Sequence, residues 1–124
     1  DIPGVSEVFE MGIVSYSNRI KNEFLGVKSE DLEKYGAVSE AVAKEMSKGA
    51  AKKADADIGV GITGIAGPGG GTIKKPVGTV WLSFYFAKTD ENPAYLLSLS
   101  GSRAEIRNKT CDEAVKRLKN HFNI

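Results

Sequence analysis

The sequence has little of the chemistry that builds metal centres or disulfides. Its 124 residues include one cysteine, Cys111, and one histidine, His121. A single cysteine excludes an intrachain disulfide framework and a cysteine-cluster zinc site. A single histidine excludes most histidine-based metal centres and leaves little for a Ser-His-Asp triad. The acidic residues show no metal-ligand spacing either, so we expect no bound metal and no cofactor.

The chain also lacks an excess of one charge and any long apolar run. It carries 17 Lys and Arg against 16 Asp and Glu, whereas a nucleic-acid-binding domain normally concentrates basic charge. No apolar segment approaches the roughly 20 residues that span a bilayer, and no signal peptide is visible. We therefore expect a cytoplasmic domain, residues 1–124, that binds neither nucleic acid nor membrane.

Apolar, β-branched segments predict the strands of an α/β fold. The segments at residues 8–16, 57–63, 77–87 and 94–100 have this character. The last two are separated by a short polar turn, so we expect them to form an antiparallel hairpin. Alternation of strands and helices along the chain predicts a three-layer α/β/α sandwich with a mixed sheet.

Capping residues mark the predicted helices between these strands. Ser17 and Gly26 bound a helix over residues 18–25, and a short helical piece is expected over residues 29–36. Ser39 has the composition of an N-cap for a helix reaching residue 53 or 54. The last helix follows Ser102, and its predicted apolar side consists of Ile106, Cys111, Ala114, Val115, Leu118 and Phe122. In this interpretation Cys111 is a small buried side chain.

The least regular part of the sequence is the glycine-rich run at residues 64–76, GIAGPGGGTIKKP. Small residues directly after a buried strand let backbone N–H groups approach a ligand closely, and Lys74 and Lys75 add positive charge. The run matches neither the P-loop nor the GxGxxG pattern. A surface connection is the alternative interpretation, but the apolar strands on both sides favour a functional loop.

Two basic residues lie at helix starts beside predicted strand ends. Lys21, with Tyr16 and Asn18 nearby, would be a base if burial lowered its pKa, although most lysines on amphipathic helices are solvated. Arg103 opens the last helix, where a guanidinium can bind a phosphate or carboxylate; a plain surface arginine is the alternative.

These segments together resemble a known family. The runs YSNRIK, LGV, YGAVSE, ITGIAGPGGGT, KPVGTV and GSRAEIR are similar, in order, to the CinA C-terminal domain. This family is also called the competence/damage-inducible protein or nicotinamide mononucleotide deamidase family. The resemblance covers essentially the whole chain, and it implies the three-layer fold. It also implies an amidohydrolase that converts nicotinamide mononucleotide to nicotinic acid mononucleotide and ammonia, in pyridine-nucleotide salvage.

The resemblance also implies roles for individual residues. Family members are similar in using a serine–lysine dyad, which places the nucleophile at Ser6 and the base at Lys21. Tyr16, Thr63 and Arg103 complete the implied catalytic set. The implied substrate-binding residues are Asn18, Gly64, Ala66, Gly67, Gly69, Gly70 and Gly71. The glycine loop would hold either the oxyanion or the 5′-phosphate, and the sequence leaves both open.

Two departures from the family pattern shape the expectations. The chain lacks an upstream strand and a Glu-Ser-x-Thr-Gly-Gly turn, so we expect a domain without the first strand and helix of the family. Gly101-Ser102-Arg103 stands where relatives usually have Gly-Asp-Arg. The alternative function is therefore a non-catalytic nucleotide- or phosphate-binding module that regulates competence or damage response. With either function we expect a small nucleotide as the ligand and a homo-oligomer as the assembly.

Overall fold

A computed structural model describes residues 2–124 of the chain, and from residue 18 onward its order of elements follows the predicted one. A short 3-10 helix comes first, followed by three helices, three strands and a long last helix. Their bounds are Val5–Glu7 for the 3-10 helix, Asn18–Leu25 (α1), Ser29–Tyr35 (α2), Glu40–Ala54 (α3), Ile58–Gly64 (β1), Thr79–Phe86 (β2), Ala94–Ser98 (β3) and Arg103–His121 (α4). In the described part of the chain, no helix is long and apolar enough to cross a membrane.

The helix boundaries confirm the predicted capping residues. The Ser17 hydroxyl accepts a hydrogen bond from the backbone N–H of Ile20, and Gly26 ends α1 in the left-handed conformation with φ 71°. The Ser39 hydroxyl accepts from the N–H of Val42 at the start of α3. These caps satisfy N–H groups that have no partner within their helix, so local sequence alone marks where each helix begins.

The sheet has the strand order β1-β2-β3, and both pairs are antiparallel. The predicted hairpin of β2 and β3 is confirmed, with Leu82 opposite Tyr95. The predicted mixed sheet is wrong for residues 2–124, because it required the strand expected at residues 8–16. That segment is irregular and pairs with no strand of the described chain, and Val8 and Val14 are each more than 80% exposed. An apolar, β-branched segment becomes a strand only where a neighbouring backbone completes its hydrogen-bond ladder.

The three predicted layers are confirmed by the side chains on the two faces of β2. Phe84 and the residues that alternate with it pack against Ile106 and Ala114 of α4. On the opposite face, Ser83 forms a 3.0 Å hydrogen bond with Ser47 of α3. α1 and α2 lie against α3 and enclose a second apolar cluster, which consists of Leu25, Val27, Leu32, Val42 and Met46.

The buried side of α4 differs from the predicted one. Ile106, Thr110 and Ala114 face the sheet, whereas Cys111 and Val115 are exposed, so the prediction of a buried Cys111 is wrong. Thr110 can be buried because its hydroxyl donates to the carbonyl of Ile106 at 2.8 Å. Since consecutive helical residues are turned by about 100°, burying Thr110 turns Cys111 away from the core.

Glycines in β1 let α3 lie directly on the strand, and we predict that enlarging one of them destabilises the fold. A Cβ on Gly61 would lie 2.4 Å from the Ala43 carbonyl oxygen and 2.7 Å from the Ser47 nitrogen. Gly61→Ala should therefore lower the free energy of unfolding by about 1–3 kcal/mol, measured by urea denaturation. Gly69→Ala is the control, because nothing lies within 4 Å of a Cβ there, and it should change stability by less than about 0.5 kcal/mol. Equal stabilities of the two variants would contradict the close packing of α3 on β1.

Candidate functional site

Lys21 is the buried amine of the candidate site. It lies on α1 with only 6% of its surface exposed, so the interpretation of a solvated surface lysine is wrong. Its Nζ donates a hydrogen bond to the carbonyl oxygen of Ser15, the residue two positions before the start of α1. Among residues 2–124, no carboxylate forms a salt bridge with it. Lys21 is therefore a buried amine that has no acidic partner in the described chain.

This environment favours the neutral form of the amine. Burial lowers the pKa of Lys21 from its ordinary value, because removal from water penalises the ammonium more than the neutral amine. Lowering the pKa of a lysine increases the fraction of neutral amine at a given pH, and the neutral amine can accept a proton from a nucleophile. Burial thus makes Lys21 a candidate general base.

Thr63 is the last of the buried residues that alternate along β1. Its hydroxyl donates a 2.8 Å hydrogen bond to the carbonyl oxygen of Ala37, in the turn between α2 and α3. The neighbouring carbonyl of that turn, from Gly36, accepts a 2.9 Å bond from the Ser39 hydroxyl. Thr63 therefore attaches the turn at residues 36–39 to the end of β1, and its hydroxyl proton is already committed.

The glycine loop, residues 65–78, connects β1 to β2. Its base is closed by hydrogen bonds between Ile65 and the start of β2, including Gly78 N–H to the Ile65 carbonyl at 2.7 Å. The loop folds tightly around Val77, since a Cβ on Gly67 or on Gly71 would approach Val77 to within 2.7 Å. Such close approach explains why glycine occupies these two positions.

The tip of this loop presents free backbone donors. The N–H groups of Gly69, Gly70 and Gly71 make no hydrogen bond within the described chain, and all three residues are exposed. Three adjacent free N–H groups can bind an oxyanion or a phosphate, so the structure keeps both of the predicted roles open. Gly64 and Ala66 lie at the base of the loop instead.

Arg103 attaches the loop to α4. Its Nη1 donates to the carbonyl oxygen of Gly67 at 3.1 Å. Ser102 and Glu105 form a reciprocal capping box at the first turn of α4, with bonds of 3.2 and 3.1 Å. The backbone and side-chain hydrogen bonds from Ser102 lower the pKa of the Glu105 carboxyl. A carboxylate of the chain itself thus occupies the N-terminus of α4, where a ligand anion would otherwise be favoured.

The remaining predicted residues lie apart from these contacts. Ser6 is exposed in the 3-10 helix, and its hydroxyl makes no hydrogen bond to Lys21 or to any other described residue. Tyr16 is 84% exposed. Asn18 lines a cavity of about 430 Å³ between α1 and α2, away from the glycine loop. The other lining residues are Arg19, Asn22, Ser29, Leu32 and Glu33. Thr63 therefore bonds to Ala37, and Arg103 bonds to the glycine loop. No hydrogen bond joins Ser6 to Lys21 in the described chain.

The carbonyl groups of Tyr35, Gly36 and Ala37 make contacts around the candidate site that the sequence did not predict. They accept hydrogen bonds from Lys75, Ser39 and Thr63, respectively. Backbone acceptors carry no side-chain signature, so only the helix stop at Gly36 and the cap at Ser39 marked this turn. Residues 2–124 contain no cluster of metal-ligating side chains.

We predict that the Lys21 amine titrates below the ordinary lysine value of about 10.4, because burial disfavours its charge. NMR titration of the Lys21 ¹³Cε signal, assigned by its loss in Lys21→Arg, measures this. Since the folded chain binds fewer protons than the unfolded chain between the two pKa values, this lysine should also make stability rise with pH in that window. A midpoint at the ordinary value would contradict the burial of the amine.

Comparison with known proteins identifies the family. A family model described as the CinA C-terminal domain matches residues 1–122. A CinA-like protein of Kosmotoga olearia is 52% identical over 88% of this chain, and one of Thermotoga neapolitana is 46% identical over 98% of it. The chain spans only 26% and 29% of the length of these two relatives.

Solved structures show the same fold. The competence/damage inducible protein CihA from Agrobacterium tumefaciens has a TM-score of 0.90 and 39% identity, over 94% of this chain and 71% of that one. The competence damage-inducible protein A (ComA) from Klebsiella pneumoniae has a TM-score of 0.92 and 30% identity, over 98% and 74% of the two chains. The chain belongs to the CinA C-terminal domain family.

Proposed function

We propose that the protein carrying this domain hydrolyses the carboxamide of a nicotinamide nucleotide, with Lys21 as the general base. The supporting observation is a buried lysine amine that has no acidic partner in the described chain and a lowered pKa. In the described residues no metal-ligating cluster offers another way to activate a nucleophile. A neutral amine is a sufficient base for a serine hydroxyl.

The proposed reaction has two steps. Lys21 takes the serine proton while the serine oxygen attacks the carboxamide carbon. The Lys21 ammonium then gives this proton to the carboxamide nitrogen as the C–N bond of the tetrahedral intermediate breaks, which releases ammonia and leaves an ester on the serine. A water molecule then attacks the resulting ester, again with Lys21 as base, and releases the nicotinic acid nucleotide and the free serine. Backbone N–H groups at the tip of the glycine loop stabilise the negative charge that develops on the carbonyl oxygen.

The nucleophile we propose from the sequence motif is Ser6. Its hydroxyl is exposed and makes no hydrogen bond to other described residues. Its assignment therefore rests on the motif, whereas the assignment of Lys21 rests on the motif and on its environment. The two assignments can be tested separately.

Turnover of nicotinamide mononucleotide, measured as ammonia release, tests the proposal. Lys21→Ala should lower kcat by about 10²–10⁴-fold, the usual contribution of a general base. Lys52→Ala, which removes an exposed lysine of α3, should leave kcat unchanged. Ser6→Ala should be inactive as well. An active Ser6→Ala enzyme with an inactive Lys21→Ala enzyme would exclude Ser6 as the nucleophile and retain Lys21 as the base.

The pH dependence gives an independent prediction. Because the neutral amine is the active form, kcat/KM should rise with pH through the lowered pKa of Lys21 and then level off. Lys21→Arg should be inactive over the whole range, since a guanidinium does not release its proton. A wild-type kcat/KM that does not change with pH anywhere below the ordinary lysine pKa would contradict Lys21 as the base.

One observation favours the nucleotide-binding module as the second candidate function. The loop tip offers three free N–H donors, whereas Ser6 and Lys21 are not bonded to each other in the described chain. Thermal stabilisation by nicotinamide mononucleotide without ammonia release would support the binding module and exclude the amidohydrolase.

A further inference from the structure

Lys75 connects the far arm of the glycine loop to α2. Its Nζ donates a hydrogen bond to the carbonyl oxygen of Tyr35, the last residue of α2. Carbonyl groups in the last turn of a helix receive no hydrogen bond from within the helix, and the helix dipole also favours a cation beside them. The contact spans 40 residues of sequence and joins two elements that share no other side-chain hydrogen bond in the described chain.

The backbone of Lys75 holds the same arm of the loop. The Thr72 N–H donates to the Lys75 carbonyl at 2.9 Å, and the Lys75 N–H donates to the Thr72 hydroxyl at 3.0 Å. These two bonds close a turn over residues 72–75. Lys75 therefore forms one corner of a hydrogen-bonded turn and ties that turn to α2. Lys74 is exposed and makes no side-chain hydrogen bond or salt bridge within residues 2–124.

The tip of the loop lies between two such attachments. On the near arm, Arg103 holds the carbonyl of Gly67; on the far arm, Lys75 holds the carbonyl of Tyr35. The free donors of Gly69, Gly70 and Gly71 lie between them. A glycine-rich segment loses much conformational entropy when it is ordered, so attachments at both ends keep its N–H groups in one arrangement before a ligand binds.

We propose that Lys75 is a positioning residue of the candidate site, which holds the N–H groups of the loop tip in place through its bond to the end of α2. This inference rests on the proposed function, because the ligand that the tip receives is the nucleotide. Lys75 acts through the backbone of the loop and touches no reacting atom.

The test compares two neighbouring lysines that carry the same charge. Lys75→Met and Lys74→Met each remove one positive charge from the loop, but only the first removes the bond to Tyr35. Lys75→Arg keeps a cationic donor and serves as the conservative variant. Two readouts are taken on the whole protein: amide hydrogen exchange of residues 68–72 without substrate, and kcat and KM for nicotinamide mononucleotide.

We expect Lys75→Met to accelerate exchange in the loop tip by about tenfold and to lower kcat by about fivefold, with a smaller change in KM. Lys74→Met should stay within about twofold of the wild-type exchange rate. Lys75→Arg should recover most of both properties. A role confined to overall stability would instead accelerate exchange in β2 and α3 to the same extent as in the loop.

Three results overturn the inference. The first is an exchange rate in Lys75→Met equal to that in Lys74→Met. The second is faster exchange with unchanged KM and kcat, and the third is faster exchange spread evenly over the whole domain. Absence of turnover in the wild-type protein overturns the proposed function instead. The two failures can be distinguished, because the comparison of hydrogen exchange between Lys75→Met and Lys74→Met needs no substrate.

Discussion

The close contact between α3 and β1 is the constraint on which the rest of the domain depends. Gly59 and Gly61 have no side chain, so the backbone of α3 reaches the strand at residues 43, 47 and 51. A Cβ on Gly59 would lie 1.9 Å from the Ser47 carbonyl oxygen, a distance that no rotamer change can relieve. Once α3 is seated, its N-terminal turn lies beside the end of β1, where Thr63 bonds to Ala37. The same contact buries the hydrogen bond between Ser47 and Ser83. One packing contact thus sets the layer spacing and one wall of the candidate site.

The glycine loop needs further attachments because its own sequence gives it little order. Fourteen residues connect two adjacent antiparallel strands, and a connection of this length without regular structure is usually functional or disordered. Here two attachments to other elements restrain it. The Arg103 side chain of α4 donates to a loop carbonyl, and the loop's own Lys75 donates to the carbonyl of Tyr35 at the end of α2. The loop tip is left as the part with free donors. The proposed ligand-binding tip is therefore held by contacts on both sides of it.

Two residues expected to meet the substrate have structural partners as well. Arg103 donates to a loop carbonyl, and Thr63 donates to a turn carbonyl. Lys21 is different, because it is buried and its amine forms one hydrogen bond in the described chain, to the carbonyl of Ser15. Removal from water without a nearby acid lowers the pKa of an amine, so more of the amine is neutral and able to accept a proton at moderate pH. This difference in environment is why Lys21 is central to the proposed mechanism.

The sequence by itself determined the helices, the hairpin and the layer order, and its resemblance to the family marked the candidate site residues as Ser6, Lys21, Tyr16, Thr63, Arg103 and the glycine loop. These signals are local: Ser17, Ser39 and Ser102 cap the helices that follow them, and alternating apolar residues mark the strands. Only the tertiary structure decided that residues 8–16 form no strand in the described chain, that Cys111 is exposed, and that Lys75 bonds to Tyr35. Each of these depends on which atoms meet across distant parts of the chain. A strand needs a partner, a helix face needs a surface to cover, and a surface lysine becomes a support only when an unpaired carbonyl lies within reach.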